Sequence, residues 1–135
     1  MKLLLDTNVL LAAVLVRRPW ADDAITVLEA AEARRVSAFA AVHGIATFYY
    51  FTAKRRGPSL ARDAVQQVIR ACDVAPLSRA DLRDAAAFVM TDYEDAMHAA
   101  TARNVGADYV VTRDLKDFAA SPVPAISPGD LLRLI

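Results

Sequence analysis

Apolar residues 3 to 5 run into Asp6 and Asn8, and a second apolar stretch extends from Val9 to Val16 before Arg17, Arg18 and Pro19. A buried strand passing directly into a helix has this form, with the proline breaking the helix. Ala24, Val27, Leu28 and Ala31 recur at helical spacing within residues 20–35, residues 36–40 read as a short strand, and residues 41–56 return to a helical period closed by Gly57 and Pro58. Leu60, Ala64, Val65, Val68, Ile69 and Cys72 mark a further amphipathic helix. Residues 74–77 are a short apolar piece, and Ser78 is placed to cap a helix over residues 78–90. A polar break at residues 91–94 precedes an alanine-rich helix over about residues 95–104, which Gly106 stops. Residues 109–112 are the clearest strand after the first, residues 114–119 a short helix or turn, residues 124–126 an edge strand, and Ser127-Pro128 opens a last helix.

Strands alternating with helices call for right-handed crossovers, hence a mainly parallel sheet covered on both faces. The expected fold class is α/β, a three-layer α/β/α sandwich. Its length of 135 residues suits a single domain spanning the whole chain. The longest apolar run is under half of a bilayer crossing, and Asp6 with Asn8 interrupts anything resembling a secretory leader, so a cytoplasmic protein without a membrane partner is expected. One cysteine, Cys72, excludes an internal disulfide and a cysteine-based metal site. Sixteen basic and 16 acidic residues cancel, so any contact with a polyanion must be local, at Arg17 and Arg18, Arg34 and Arg35, or Lys54 to Arg56.

In an open parallel sheet the carboxyl ends of the strands share one edge, where ligand sites gather. Asp6 and Asp114 each lie just past a strand, and Asp95 opens a helix that can face the same edge. Taken singly, each is better explained as a helix cap. Taken together they would repel, by roughly 4 kcal/mol for a pair about 4 Å apart at an effective dielectric near 20, unless a cation relieves them. Oxygen ligands, with neither clustered histidine nor cysteine in the sequence, favour Mg²⁺ or Mn²⁺ over zinc.

Three segments carry a resemblance: Leu3-Leu4-Leu5-Asp6-Thr7-Asn8-Val9-Leu10; Glu94-Asp95-Ala96 with Ala99-Ala100; and Asp108-Tyr109-Val110-Val111-Thr112-Arg113-Asp114 with Asp117-Phe118. In order and spacing they resemble the PIN domain family, which includes the VapC-type toxins, over nearly the whole chain. The resemblance implies an Mg²⁺- or Mn²⁺-dependent endoribonuclease, the toxin of a type II toxin-antitoxin pair, cleaving RNA phosphodiester bonds with a water activated by the ion. It also implies a homodimer and a cognate antitoxin. Asp6, Asp95 and Asp114 match the catalytic and metal-binding acids, with Asp117 as the alternative late ligand. Thr7, Asn8 and Thr112 match positions that orient them.

One departure stands out. Typical toxins of that family carry a glutamate early in the third helix, whereas residues 41–50 here contain no acid. Glu94 or Asp117 is the expected substitute at the metal, and a catalytically impaired RNA- or protein-binding module is the alternative reading. An aspartate-nucleophile phosphatase fits poorly, because the residue two after the nucleophile would be an acid and here is Asn8. His43 and His98 are each better explained as packed or locally hydrogen-bonded residues than as ligands. Arg113, beside Asp114, is the candidate for a substrate phosphate, with an ion pair as its plainer role. Phe48 to Phe51 circle a helix, so at least one ring is expected at the surface or in a dimer contact. Trp20 is expected either to staple its helix or to meet a partner.

Overall fold

The structure, a computed structural model, describes all 135 residues. Five strands, β1 (Lys2–Leu5), β2 (Ser37–Ala41), β3 (Asp73–Ala75), β4 (Tyr109–Val111) and β5 (Ala125–Ile126), form one sheet in the order β3-β2-β1-β4-β5. Every pairing is parallel. The helices are α1 (Thr7–Val14), α2 (Ala21–Glu32), α3 (Val42–Arg56), α4 (Pro58–Ala71), α5 (Arg79–Ala87), α6 (Tyr93–Asn104) and α7 (Pro128–Leu132), with a 3₁₀ turn at Leu115–Phe118.

β1 explains the apolar run at the start of the chain. Leu3 and Leu5 point into one face and Leu4 into the other, all essentially inaccessible, because a central parallel strand is covered twice. The larger core joins Leu3 and Leu5 to α1, α2 and α4 and to Phe48 of α3; the smaller sets Leu4 and Val110 against Ala99 and Ala102 of α6 and Phe118. The alanine richness of α6 thereby has a packing reason: small side chains let the helix lie close on the sheet. Cys72 is buried core filling, its thiol pushed up to about 12 by that burial.

Several boundaries differ from the sequence reading: α1 ends at Val14, short of Pro19, so the proline is not what stops it, and α2 ends at Glu32. Ser78 and Asp81 do form a reciprocal cap for α5, but the helix stops at Ala87, where Phe88 turns to extended backbone and packs its side chain against both clusters that involve α6. Helix α6 starts at Tyr93, because Asp92, not Asp95, is its cap: Asp92 Oδ1 accepts from the Asp95 N–H at 3.0 Å. The last strand shrinks to residues 125–126 and pairs in parallel with β4. No helix is long and apolar enough to cross a membrane.

From β1 the chain proceeds to β2 and β3 on one side, then returns to place β4 and β5 on the other. The carboxyl ends of β1 and β4 therefore flank the point where strand order reverses, the place where open α/β sheets form their crevice. Leu5 pairs with Val111, so the next residues of the two strands, Asp6 and Thr112, emerge side by side at that edge.

Candidate functional site

A cavity of about 280 Å³ opens at this edge, lined by Asp6, Thr7, Asn8, Leu11, Thr47, Asp92, Glu94, Asp95, Asp114 and Asp117. Six of the ten are carboxylates, and they come from β1, the start of α6 and the turn after β4. The sequence reading assigned Asp6, Glu94, Asp95, Asp114 and Asp117 to one site, and the fold brings all five together. It missed Asp92, which lay in the stretch taken as a polar break. An aspartate three residues before Asp95 has the spacing of a cap, but that spacing alone does not tell Asp92 from Asp95 as the residue that opens the helix.

Hydrogen bonds from neutral side chains hold these acids. Thr112 Oγ1 donates to Asp6 Oδ2 at 2.8 Å and accepts from the Asp114 N–H at 3.1 Å. Asn8 Nδ2 donates to Asp114 Oδ2 at 3.0 Å, while Asn8 Oδ1 accepts from the Arg113 N–H at 3.3 Å. Thr112 and Asn8 thus tie the end of β4 to the end of β1. Asp6 and Asp114 precede helical turns, yet neither side chain caps one. Capping does not account for them; in α6 that role falls to Asp92.

Asp6 is only 5% exposed, and no cationic side chain of Lys or Arg pairs with it. Its neighbour Asp95 has its carboxyl pushed up to about 7, first by burial and then by the charges of Asp6, Asp92, Asp117 and Glu94. So many acids around one small space leave negative charge uncompensated by the chain itself. The donor set, all oxygen and all hard, fits a Mg²⁺- or Mn²⁺-class ion, which Asp6, Asp95, Asp114 and their neighbours are placed to hold.

The wall contributed by α3 is Thr47, so no helix-3 acid reaches the cavity. One turn earlier, His43 meets His98 of α6, with Nε2 and Nδ1 3.1 Å apart. The sequence reading that no histidines cluster is thereby corrected: residues 55 apart in the chain converge because α3 and α6 flank the same sheet edge. His98 is buried, its Nδ1 2.9 Å from the Glu94 carbonyl and its Nε2 3.3 Å from Thr7 Oγ1. A Cβ at position 44 would lie 2.9 Å from Thr7 Oγ1 and 3.0 Å from His98 Nε2, so Gly44 is what lets α3 approach this closely. Burial, and then His98, push the His43 imidazole down to about 4, leaving it neutral at pH 7.

Arg113 lies outside the acidic cavity and forms no ion pair. Its guanidinium stacks on the Trp20 ring at 3.6 Å from the centroid. Trp20 thereby has a role that neither expectation for it contained. With Asp114, Leu115, Lys116 and Asp117, Arg113 lines an adjoining hollow of about 360 Å³. A larger groove, about 610 Å³ between α1, α2 and α4, has an alanine, valine, leucine and isoleucine floor with Glu29, Glu32, Asp63 and Arg70 among its lining, away from the strand ends.

Comparison with known proteins agrees with this layout. The family model of the PIN domain matches residues 2–116, most of the chain. The chain belongs to the PIN domain family. Among solved structures, this PIN domain resembles VapBC2 from Rickettsia felis bound to a promoter DNA fragment, with a TM-score of 0.74 at 15% identity over 94% of this chain and 98% of that one. It also resembles the Mycobacterium tuberculosis toxin VapC20, which cleaves the sarcin-ricin loop, with a TM-score of 0.71 at 16% identity over 90% and 95% of the two chains. A toxin-antitoxin complex from Klebsiella pneumoniae gives 0.68 at 22% identity, covering 93% and 96%. Likeness at these identities concerns the fold. No curated protein matches the sequence.

Proposed function

We propose that this PIN domain is a metal-dependent endoribonuclease and the toxin of a toxin-antitoxin pair. The observation that carries the reading is the convergence of six carboxylates where the strand order reverses. Family membership and the toxin-like fold of the solved neighbours support it. A bound Mg²⁺ or Mn²⁺ would supply Lewis-acid polarisation of the phosphodiester and lower the pKa of water.

The side chains divide the remaining work. Thr112 holds one oxygen of Asp6, leaving Oδ1 free of hydrogen bonds; Asn8 does the same for Asp114 through Oδ2. Carboxylates fixed in this way would hold an ion where charge stabilisation in a transition state requires it. Asp95, its carboxyl pushed up to about 7 by burial and then by the neighbouring acids, would have to be ionised to hold a cation. The absent helix-3 glutamate motivated a catalytically impaired module; Asp92 and Glu94 at the cavity bring its complement to six acids, which supports the active reading. Purified protein incubated with RNA and Mg²⁺ or Mn²⁺ tests the proposal; binding of RNA without cleavage under either ion would favour the impaired module instead.

Arg113 is assigned to a substrate phosphate beside the scissile one, together with Lys116 in the adjoining hollow. Stacking on Trp20 preorganises the guanidinium at the rim. Arg113→Ala is expected to raise KM for RNA by roughly tenfold, the effect of one charge-assisted contact of 1–2 kcal/mol, with a smaller change in kcat. An unchanged KM in steady-state cleavage assays would remove the assignment.

The homodimer is assigned to α3, where Tyr50 is 59% and Phe51 41% exposed and the two rings meet edge to face at 5.3 Å. Tyr50→Ser combined with Phe51→Ser is expected to convert a dimer to a monomer in light scattering, and an unaltered mass would place the interface elsewhere. A cognate antitoxin is proposed by analogy with the complexes among the structural neighbours, and co-purification with the product of an adjoining short reading frame is its test.

A further inference from the structure

The two histidines meet in a hydrogen-bonding conflict at His98 Nδ1 that a metal ion would relieve. His43 Nε2 and His98 Nδ1 are 3.1 Å apart, and His98 Nδ1 is also 2.9 Å from the Glu94 carbonyl oxygen. A carbonyl can only accept, so His98 carries its hydrogen on Nδ1, and two acceptors, the Glu94 carbonyl and His43 Nε2, compete for that single hydrogen. On the far side of its ring, His43 Nδ1 is buried with no partner at all. The Glu94 carboxylate, one turn before His98, makes neither a hydrogen bond nor an ion pair, and ligand atoms of His43, Glu94 and His98 all lie within 4.8 Å of one another.

We propose that His43 Nε2, His98 Nδ1 and the Glu94 carboxylate form a site for a Zn²⁺-class transition metal beside the oxygen-lined cavity. Bonds of about 2.0–2.2 Å put the ligands of one tetrahedral ion roughly 3.3–3.6 Å apart. The two nitrogens are already near that separation; only the Glu94 side chain, which nothing restrains, has to swing in. Two imidazoles and one carboxylate suit zinc, cobalt or nickel better than magnesium, so the site differs in selectivity from the cavity of carboxylates next to it.

Binding requires His98 to move its hydrogen from Nδ1 to Nε2, with no net gain or loss of a proton. The relocated N–H then faces Thr7 Oγ1 at 3.3 Å and Asp6 Oδ1 at 3.9 Å, acceptors of the kind that orient metal-bound histidines. Gly44 keeps this corner open, since a side chain there would press on both Thr7 and His98. None of this depends on the protein being a nuclease.

The unmodified, untagged chain offers the cleanest test, because His43 and His98 are its only histidines. In excess Mg²⁺, added Zn²⁺ should shift the ring-proton NMR signals of both, with calorimetry giving one Zn²⁺ per chain. His43→Gln, checked for folding by circular dichroism, should weaken Zn²⁺ by at least about tenfold, whereas Asp114→Asn should leave it unchanged. Unshifted ring signals at saturating Zn²⁺, full affinity in His43→Gln, or equal loss in Asp114→Asn would overturn the site.

Discussion

Asp6→Asn is expected to reduce Mg²⁺- or Mn²⁺-dependent RNA cleavage by on the order of 10³-fold while leaving the fold intact. The position makes this a clean experiment. Its backbone N–H is tied to the Val111 carbonyl at 2.9 Å, so the residue stays at the end of the central strand whatever its side chain. The asparagine oxygen can still accept the Thr112 hydroxyl that now reaches Asp6 Oδ2 at 2.8 Å. Shape and hydrogen bond survive, and only the buried negative charge is lost. Because that charge sits among other acids, its removal should not destabilise the metal-free protein. Asp22→Asn, at an exposed residue paired with Arg18 at 3.5 Å, serves as the control with no expected effect. Cleavage at the wild-type rate in Asp6→Asn, or wild-type cleavage that persists in excess chelator, would sink the proposed mechanism.

The metal-free protein should lose stability as pH rises from about 4 to about 7, and a divalent ion should reverse the loss. The sign follows from Asp95, whose carboxyl is pushed up to about 7 in the folded chain, whereas an unfolded aspartate titrates near 3.9. Between those values the folded state holds a proton that the unfolded state has released, so raising the pH favours unfolding until both forms are ionised. Asp95 is half-buried, and solvent screening limits the effect to about 1–2 kcal/mol, a fall in Tm of roughly 3–8 °C. Asp95→Asn should abolish most of this slope. An ion at one hundred times its Kd should then add about 2.7 kcal/mol, with the gain growing toward neutral pH because binding requires Asp95 ionised. Thermal melts of the two proteins with and without Mn²⁺ decide the matter. Parallel pH profiles for wild type and Asp95→Asn would show that Asp95 does not carry the strain of the cluster.

How much of this was legible beforehand varies with the range of the interaction. The continuous apolar run of β1, the helical spacing in α2 and α4, the Ser78 cap and the Gly106 stop are local signals, and each appears in the fold where the chain announced it. Parallel order followed from alternation, since strands separated by helices have no other short way to pair. Asp6 and Asp114 were legible together because strand ends in such a sheet share an edge, and Asp95 joined them through the resemblance carried by the three segments in order. The start of α6 was not, because two capping aspartates lie three residues apart and only the backbone turn selects Asp92.

By itself, then, the sequence determined the layered α/β fold and set Asp6 and Asp114 at one edge of its sheet, because periodicity and connection rules act over a few residues at a time. Tertiary structure alone decided that Asp92 joins the cavity, that Thr47 faces it where the typical family glutamate is missing, that Trp20 supports Arg113, and that His43 meets His98. Each of these depends on how closely separate elements approach, and that distance is set by packing, by the small Gly44 and by the alanines of α6, which no spacing along the chain encodes.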